Sequence, residues 1–219
     1  MSTAASDDEH QKILEEVITD KDKLPKPRNM LPYYLGAVIL IMLLALWAFP
    51  SDSLPVRPKR NDIPAISDVL PASLAVPERP TSNDIDQYVT HDHPDIKAVA
   101  AGIVTSACSK ADDRCYADAL HYFVQENIAY VKDPINEYYE LPQETLLAGA
   151  ADCDGHAILL ASLMRSVGIL TRFKHTPRHV SVEAWLPQSK LFSKPYAKEW
   201  VLYDATCKEC GPGEARALP

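Results

Sequence analysis

Cys153, His179 and Asp204 are the residues whose types and order could make and break an acyl bond. Cys153 lies in the run Gly149 to Gly168, directly after Asp152. An aspartate there is a good N-cap, because its carboxylate can accept an orphan N–H of the opening helical turn. Ala157, Leu160, Ala161, Met164 and Val167 recur at three- and four-residue spacing, which predicts one buried helical face. Gly168 stands where a left-handed residue ends a helix. Cys153 therefore meets the positive end of the helix dipole, a placement that favours thiolate, the form that attacks a carbonyl. Without a base, a cysteine there is more simply a small buried hydrophobe.

Two downstream segments supply the rest. His179 to Pro187 alternates like a strand and opens on a histidine; Trp200 to Thr206 alternates again and carries Asp204 near its end. A thiol, an imidazole to take its proton and a carboxylate to orient the imidazole make a Cys-His-Asp triad, and adjacent antiparallel strands would set His179 beside Asp204. His179, Ser181, Glu183 and Trp185 share a strand face opposite Val180, Val182 and Ala184, consistent with an imidazole at an open groove. His175 is an alternative base, with Pro177 predicting a bend between the two histidines. His156 is second choice as a base, since a neighbour on the same turn aligns poorly with the thiol and a separate carboxylate. With Asp152, Cys153 or Asp154 it could ligate a metal, but no zinc-type frame surrounds it. The expectation is no metal and no cofactor. The Cys153 N–H is the default oxyanion donor; Tyr130, Tyr138, Tyr139 and Gln143 are candidates for the second.

These blocks resemble the transglutaminase-like superfamily of papain-like cysteine enzymes. The resemblance rests on Asp152-Cys153 opening the helix, His179 on a strand and Trp200-Val-Leu-Tyr-Asp-Ala-Thr on the next, and it covers roughly residues 84 to 210. The run Asp-Ala-Thr-Cys-Lys-Glu-Cys after Tyr203 looks most like membrane-associated prokaryotic and archaeal members. The resemblance implies an α+β core, a Cys-bearing helix packed on an antiparallel sheet carrying His and Asp. It also implies acyl transfer at an amide: peptide hydrolysis, glutamine deamidation or transamidation. A fold-sharing protein-binding module without turnover and a metal sensor built on Cys153 and His156 are readings of other classes.

The elements that must hold these residues lie upstream. Pro94 to Ser109 predicts a helix with Ile96, Val99, Ala100, Ile103 and Val104 on one face. After a polar loop, a second helix carries Leu120, Phe123, Val124 and Ile128, and Leu141 to Leu147 makes a helical turn before the cysteine. Cys108 and Cys115 flank the loop and suit a bridge, while Cys207 and Cys210 follow a strand and suit a local disulfide better than a redox motif. One zinc held by all four is the alternative.

The 219 residues divide by composition into a polar tail (1–30), an uncharged run (31–49), a proline-rich stretch (50–80) and the acyl-transfer domain (84–219). The nineteen residues from Leu31 to Phe49 suit a single transmembrane helix flanked by Tyr33, Tyr34 and Trp47, with the bilayer as partner. Lys21, Lys23, Lys26 and Arg28 before it, against Arg57, Lys59 and Arg60 after it, favour a cytoplasmic N-terminus and an extracytoplasmic domain. The seven prolines of residues 50–80 predict a semi-rigid spacer. The tail reads as disordered, with transient helix around Ile13 to Ile18. Net charge is −8, of which −6 falls on residues 81–219, so nucleic acid is excluded as a partner and a membrane-proximal protein or peptide is the expected substrate.

Overall fold

The computed structural model describes residues 29–48, 57–132, 138–187 and 198–215, together with Lys12 and Glu15. The chain forms two compact units, Met1–Ser53 and Leu54–Pro219. The first contains helix α1, Leu31–Ala48, whose described residues are all exposed. Among the described residues no helix is long and apolar enough to cross a membrane. α1 is uncharged, but its eighteen residues rise only about 27 Å against a hydrocarbon core of roughly 30 Å. Phe49, the last residue of the expected span, and most of the tail, Ile13 to Ile18 among it except Glu15, lie outside the described residues.

The second unit is mixed helix and sheet. Its helices are α2 (Ile66–Val69), α3 (Pro94–Ala107), α4 (Asp113–Asn127), α5 (Pro142–Ala148) and α6 (Cys153–Ser166). Strands β3 (Thr171–Thr176), β4 (His179–Pro187) and β5 (Lys198–Tyr203) form an antiparallel sheet in that order. Two-residue strands β1 (Ala129–Tyr130) and β2 (Ala150–Ala151) pair in parallel. They are too short to leave a periodic trace, and they seat the chain directly before the cysteine.

Helix α6 is the hub. Asp152 caps it as its side chain accepts the N–H of Asp154 and Gly155, and Gly168 ends it at φ 86°. The pattern predicted one buried face, but Ile158, Leu159, Ser162 and Leu163 are buried as well. The helix packs on α3, α4 and α5 and on β3 and β4, so it has no solvent side over most of its length. The expected apolar faces of α3 and α4 are both buried in the same core.

Part of the proline-rich stretch is seated on this unit. Ile66 N–H donates to Asn127 Oδ1 at 2.8 Å. The Arg60 guanidinium pairs with Glu126 and lies 4.7 Å from the Tyr122 ring centre. Arg79 pairs with Glu144 and donates to the Tyr139 carbonyl at 2.6 Å. Val69 packs against Gly102. Residues 57–80 thus lie along the domain, because Arg60 and Arg79 find carboxylates, rings and carbonyls on α4, on α5 and just before α5.

Both expected disulfides are present, Cys108–Cys115 and Cys207–Cys210. The first joins the end of α3 to the first turn of α4, seven residues on. Replacing both of its cysteines by serine is expected to remove roughly 2 kcal/mol of stability through loop-closure entropy. That corresponds to a melting temperature lower by about 8 °C; an unchanged calorimetric melt would contradict it.

Candidate active site

The first turn of α6 presents Cys153, half-buried and the free cysteine of the chain. The turn is fixed from three sides. Asp152 Oδ1 accepts from Asp154 N–H at 2.9 Å and Gly155 N–H at 3.3 Å. The β1–β2 pair holds the approach, with Val131 N–H donating to the Ala151 carbonyl at 2.9 Å. At Gly155 a Cβ would stand 2.6 Å from the Ala151 Cβ and from a Glu140 carboxylate oxygen, so only glycine fits. The Cys153 N–H has no acceptor among the described residues, which leaves it available to a developing oxyanion.

His179 and Asp204 meet as the strand order predicted. His179 opens β4 and Asp204 follows the last residue of β5, and His179 Nε2 lies 3.0 Å from Asp204 Oδ2. The second carboxylate oxygen, Oδ1, accepts from Thr206 N–H at 3.1 Å and from its hydroxyl at 2.7 Å. With Nε2 turned to a fully buried carboxylate, Nδ1 is left as the basic nitrogen. The cysteine sulphur faces the backbone N–H of Val180, the residue after His179. The fold therefore brings the three candidates to one place, where the start of α6 meets the start of β4. A cavity of about 400 Å³ opens beside His179, lined by Lys174, Thr176, Pro177, Ser181 and Leu202. Cys153 is not among its walls.

The electrostatics of the thiol differ from expectation. Burial, then the charges of Asp154 and Asp152, push Cys153 up to about 12, against a smaller lowering by the Val180 N–H. A helix dipole is worth up to about 2 kcal/mol at a partly buried site, and here desolvation and two carboxylates outweigh it. The thiol points its proton at Asp154 Oδ1, 3.7 Å away. In this arrangement Cys153 is a thiol that must lose its proton during attack.

The other candidates fall into place by their partners. His156 is buried, with Nδ1 2.7 Å from the Asp152 carbonyl and Nε2 3.4 Å from the Ile128 carbonyl, and burial lowers its pKa. It is a structural histidine. Ligand atoms of Asp152, Cys153 and Asp154 lie within 4.8 Å of one another, but the Asp152 carboxylate is engaged in capping. His175 is exposed and pairs across from Val180. Gln143 accepts from Thr90 Oγ1 at 3.2 Å, and Thr90 N–H bonds Ser162, nine residues along α6 from Cys153. It sits too far down the helix to serve an oxyanion. Tyr138 stacks on Arg79 at 3.9 Å and bonds Glu144, and Tyr139 packs edge-on against Tyr88. Of the four, Tyr130 lies on the cysteine's side, its ring 6.1 Å from that of His156.

A buried polar row on α4 was not anticipated. Asp118, His121 and Gln125 are all buried. Tyr203 O–H donates to Asp118 Oδ1 at 2.8 Å, and His121 Nε2 lies 3.1 Å from the Asp204 carbonyl. Burial holds His121 down to about 4, so it is neutral and donates through Nε2. Their three- and four-residue spacing within an apolar stripe was the available signal.

Compared with known families, residues 97–205 match the model described as the transglutaminase-like superfamily. No curated protein matches the chain.

Removing the nearest charge should release the thiol. Asp154→Asn is expected to lower the Cys153 pKa and speed its alkylation by iodoacetamide several-fold at pH 8, with the rate of the unmodified protein still climbing above pH 9. A wild-type rate that levels off near pH 7 would show a preformed thiolate and contradict this.

Proposed function

Because residues 97–205 form a domain of the transglutaminase-like superfamily, we propose that the protein is a cysteine enzyme acting on peptide or glutamine amide bonds through a thioester. The observation that carries this reading is the His179 Nε2–Asp204 Oδ2 contact of 3.0 Å, one residue from the Val180 N–H that faces the Cys153 sulphur. As Sγ attacks the amide carbon, its proton passes to His179 Nδ1, and Asp204 stabilises the imidazolium. The Cys153 N–H donates to the carbonyl oxygen as negative charge develops on it. His179 then protonates the leaving amine as the C–N bond breaks, which leaves a thioester. Water or a primary amine resolves it, with His179 again as base. A thiol pushed up to about 12 suits this concerted route, since no standing thiolate is required. Hydrolysis is favoured over transamidation, because nothing in the sequence marks a second site for an amine.

That raised thiol also supports a second reading, a protein-binding module that keeps the fold without turnover. Mass spectrometry of a peptide library, with and without a primary amine, separates the two. Cleaved or deamidated peptides support hydrolysis and amine adducts support transamidation. Asp204→Asn is expected to lower either by about 10²-fold or more while the fold persists. Absence of any product that depends on Cys153 favours the binding module.

The proposal extends to location. Residues 31–49 would anchor the chain in a membrane, with the domain outside the cytoplasm acting on proteins near the bilayer. Two disulfides agree with an oxidising compartment. Protease added to intact cells is expected to release a fragment that retains Arg60 onward; release only after lysis would invert the topology.

A further inference from the structure

The carboxylate arm of the triad stands outside the sheet. The last β4–β5 pair is Val182 with Tyr203, so Asp204 and the residues after it have no ladder to hold them. Their main-chain carbonyls turn inward instead, to side chains from distant parts of the chain. Gln125 Nε2 lies 2.5 Å from the Cys207 carbonyl, 3.0 Å from that of Cys210 and 3.4 Å from that of Asp204. Arg60 Nη2 donates to the Lys208 carbonyl at 2.9 Å. The two side chains are themselves joined, with Arg60 Nη2 3.2 Å from Gln125 Oε1. That contact sets the amide: its oxygen faces the guanidinium, so its two N–H bonds face the carbonyls.

We propose that Gln125 and Arg60 are positioning residues for Asp204, and through it for His179. The inference rests on the acyl-transfer reading of Cys153, His179 and Asp204. The Cys207–Cys210 disulfide and turns within the loop limit its shape, but they do not tie it to the domain; the Gln125 and Arg60 donors do, through the carbonyls of Cys207, Cys210 and Lys208. Thr206 and His121 complete the setting, bonding the Asp204 carboxylate and carbonyl. Arg60 lies before the superfamily-matched region, so a residue of the proline-rich stretch contributes to the site's geometry. Its side chain is 37% exposed, so it can be replaced without opening the core, whereas Gln125 is fully buried.

The test uses the full chain and reads the rate of Cys153 alkylation by iodoacetamide at one pH, with thermal melting alongside. In the unmodified protein His179→Ala is expected to slow that rate several-fold. In Gln125→Glu, which turns an acceptor toward the loop carbonyls, and in Arg60→Ala, most of the His179-dependent rate is expected to be gone, so that adding His179→Ala to either variant slows it little further. Arg60→Lys, which keeps a cation and donors, should retain more than half of the His179-dependent rate. If Gln125→Glu does not fold, Arg60→Ala decides. A His179-dependent rate left in place by Arg60→Ala, or by a folded Gln125→Glu, overturns the positioning role and leaves the functional reading standing. If His179→Ala leaves the rate of the unmodified protein unchanged, the functional reading falls first and this inference with it.

Discussion

The capping bonds of Asp152 are the constraint from which the site follows. A helix must satisfy its first N–H groups, and a carboxylate does so well. Here that carboxylate, with Asp154 beside it, fixes where Cys153 points. The same charges make the thiolate harder to form. The start of α6 is therefore a compromise between holding the sulphur still and making it reactive, settled toward holding it still. Reactivity then has to come from across the interface, at the start of β4, where His179 is held by Asp204. This division gives each element one task. In the acyl-transfer reading proposed above, the helix would supply position and an oxyanion donor, and the sheet the base.

Much of this arrangement was legible in the sequence. Asp152 and Gly168 bracket α6 as capping chemistry requires, and two alternating runs place His179 and Asp204 at the neighbouring ends of paired strands. Local rules carried these inferences because caps and strand alternation are short-range effects. What escaped was long-range. The β1–β2 pair joins segments twenty-one residues apart through two residues each. Gln143 was a reasonable oxyanion donor by type, yet its amide oxygen accepts from Thr90, whose N–H bonds Ser162 well down α6. The thiol's pKa was misjudged because the dipole argument counts one field, whereas burial and two carboxylates act on the same sulphur. Arg60 read as one charge in a spacer; its partners on α4 and beyond β5 leave no trace in spacing.

A row of buried polar groups on α4 lies behind the carboxylate arm. Burial raises Asp118 and Tyr203 and lowers His121, each toward its neutral form. Hydrogen bonds of this kind specify one packing more sharply than apolar contacts do, because a misplaced donor or acceptor in low dielectric is expensive. Helix α4 thus sets the register of the sheet's end through hydrogen bonds, while α6 sets its face through hydrophobic burial. The two helices divide the work of aligning His179 and Asp204.

The bond from Arg60 to the Lys208 carbonyl spans 148 positions of sequence. Closing a loop of that length carries an entropic penalty of about 4 kcal/mol beyond a constant term, and contacts of such separation come late in folding. During synthesis the helix bearing Cys153 emerges well before residues 204–210 do. A nascent chain can therefore bury α6 against α3 and α4 while the segment after β5 is still missing. The contact of Arg60 with Lys208 then forms on a core already packed, so the setting of Asp204 is among the last features of the domain to arrive.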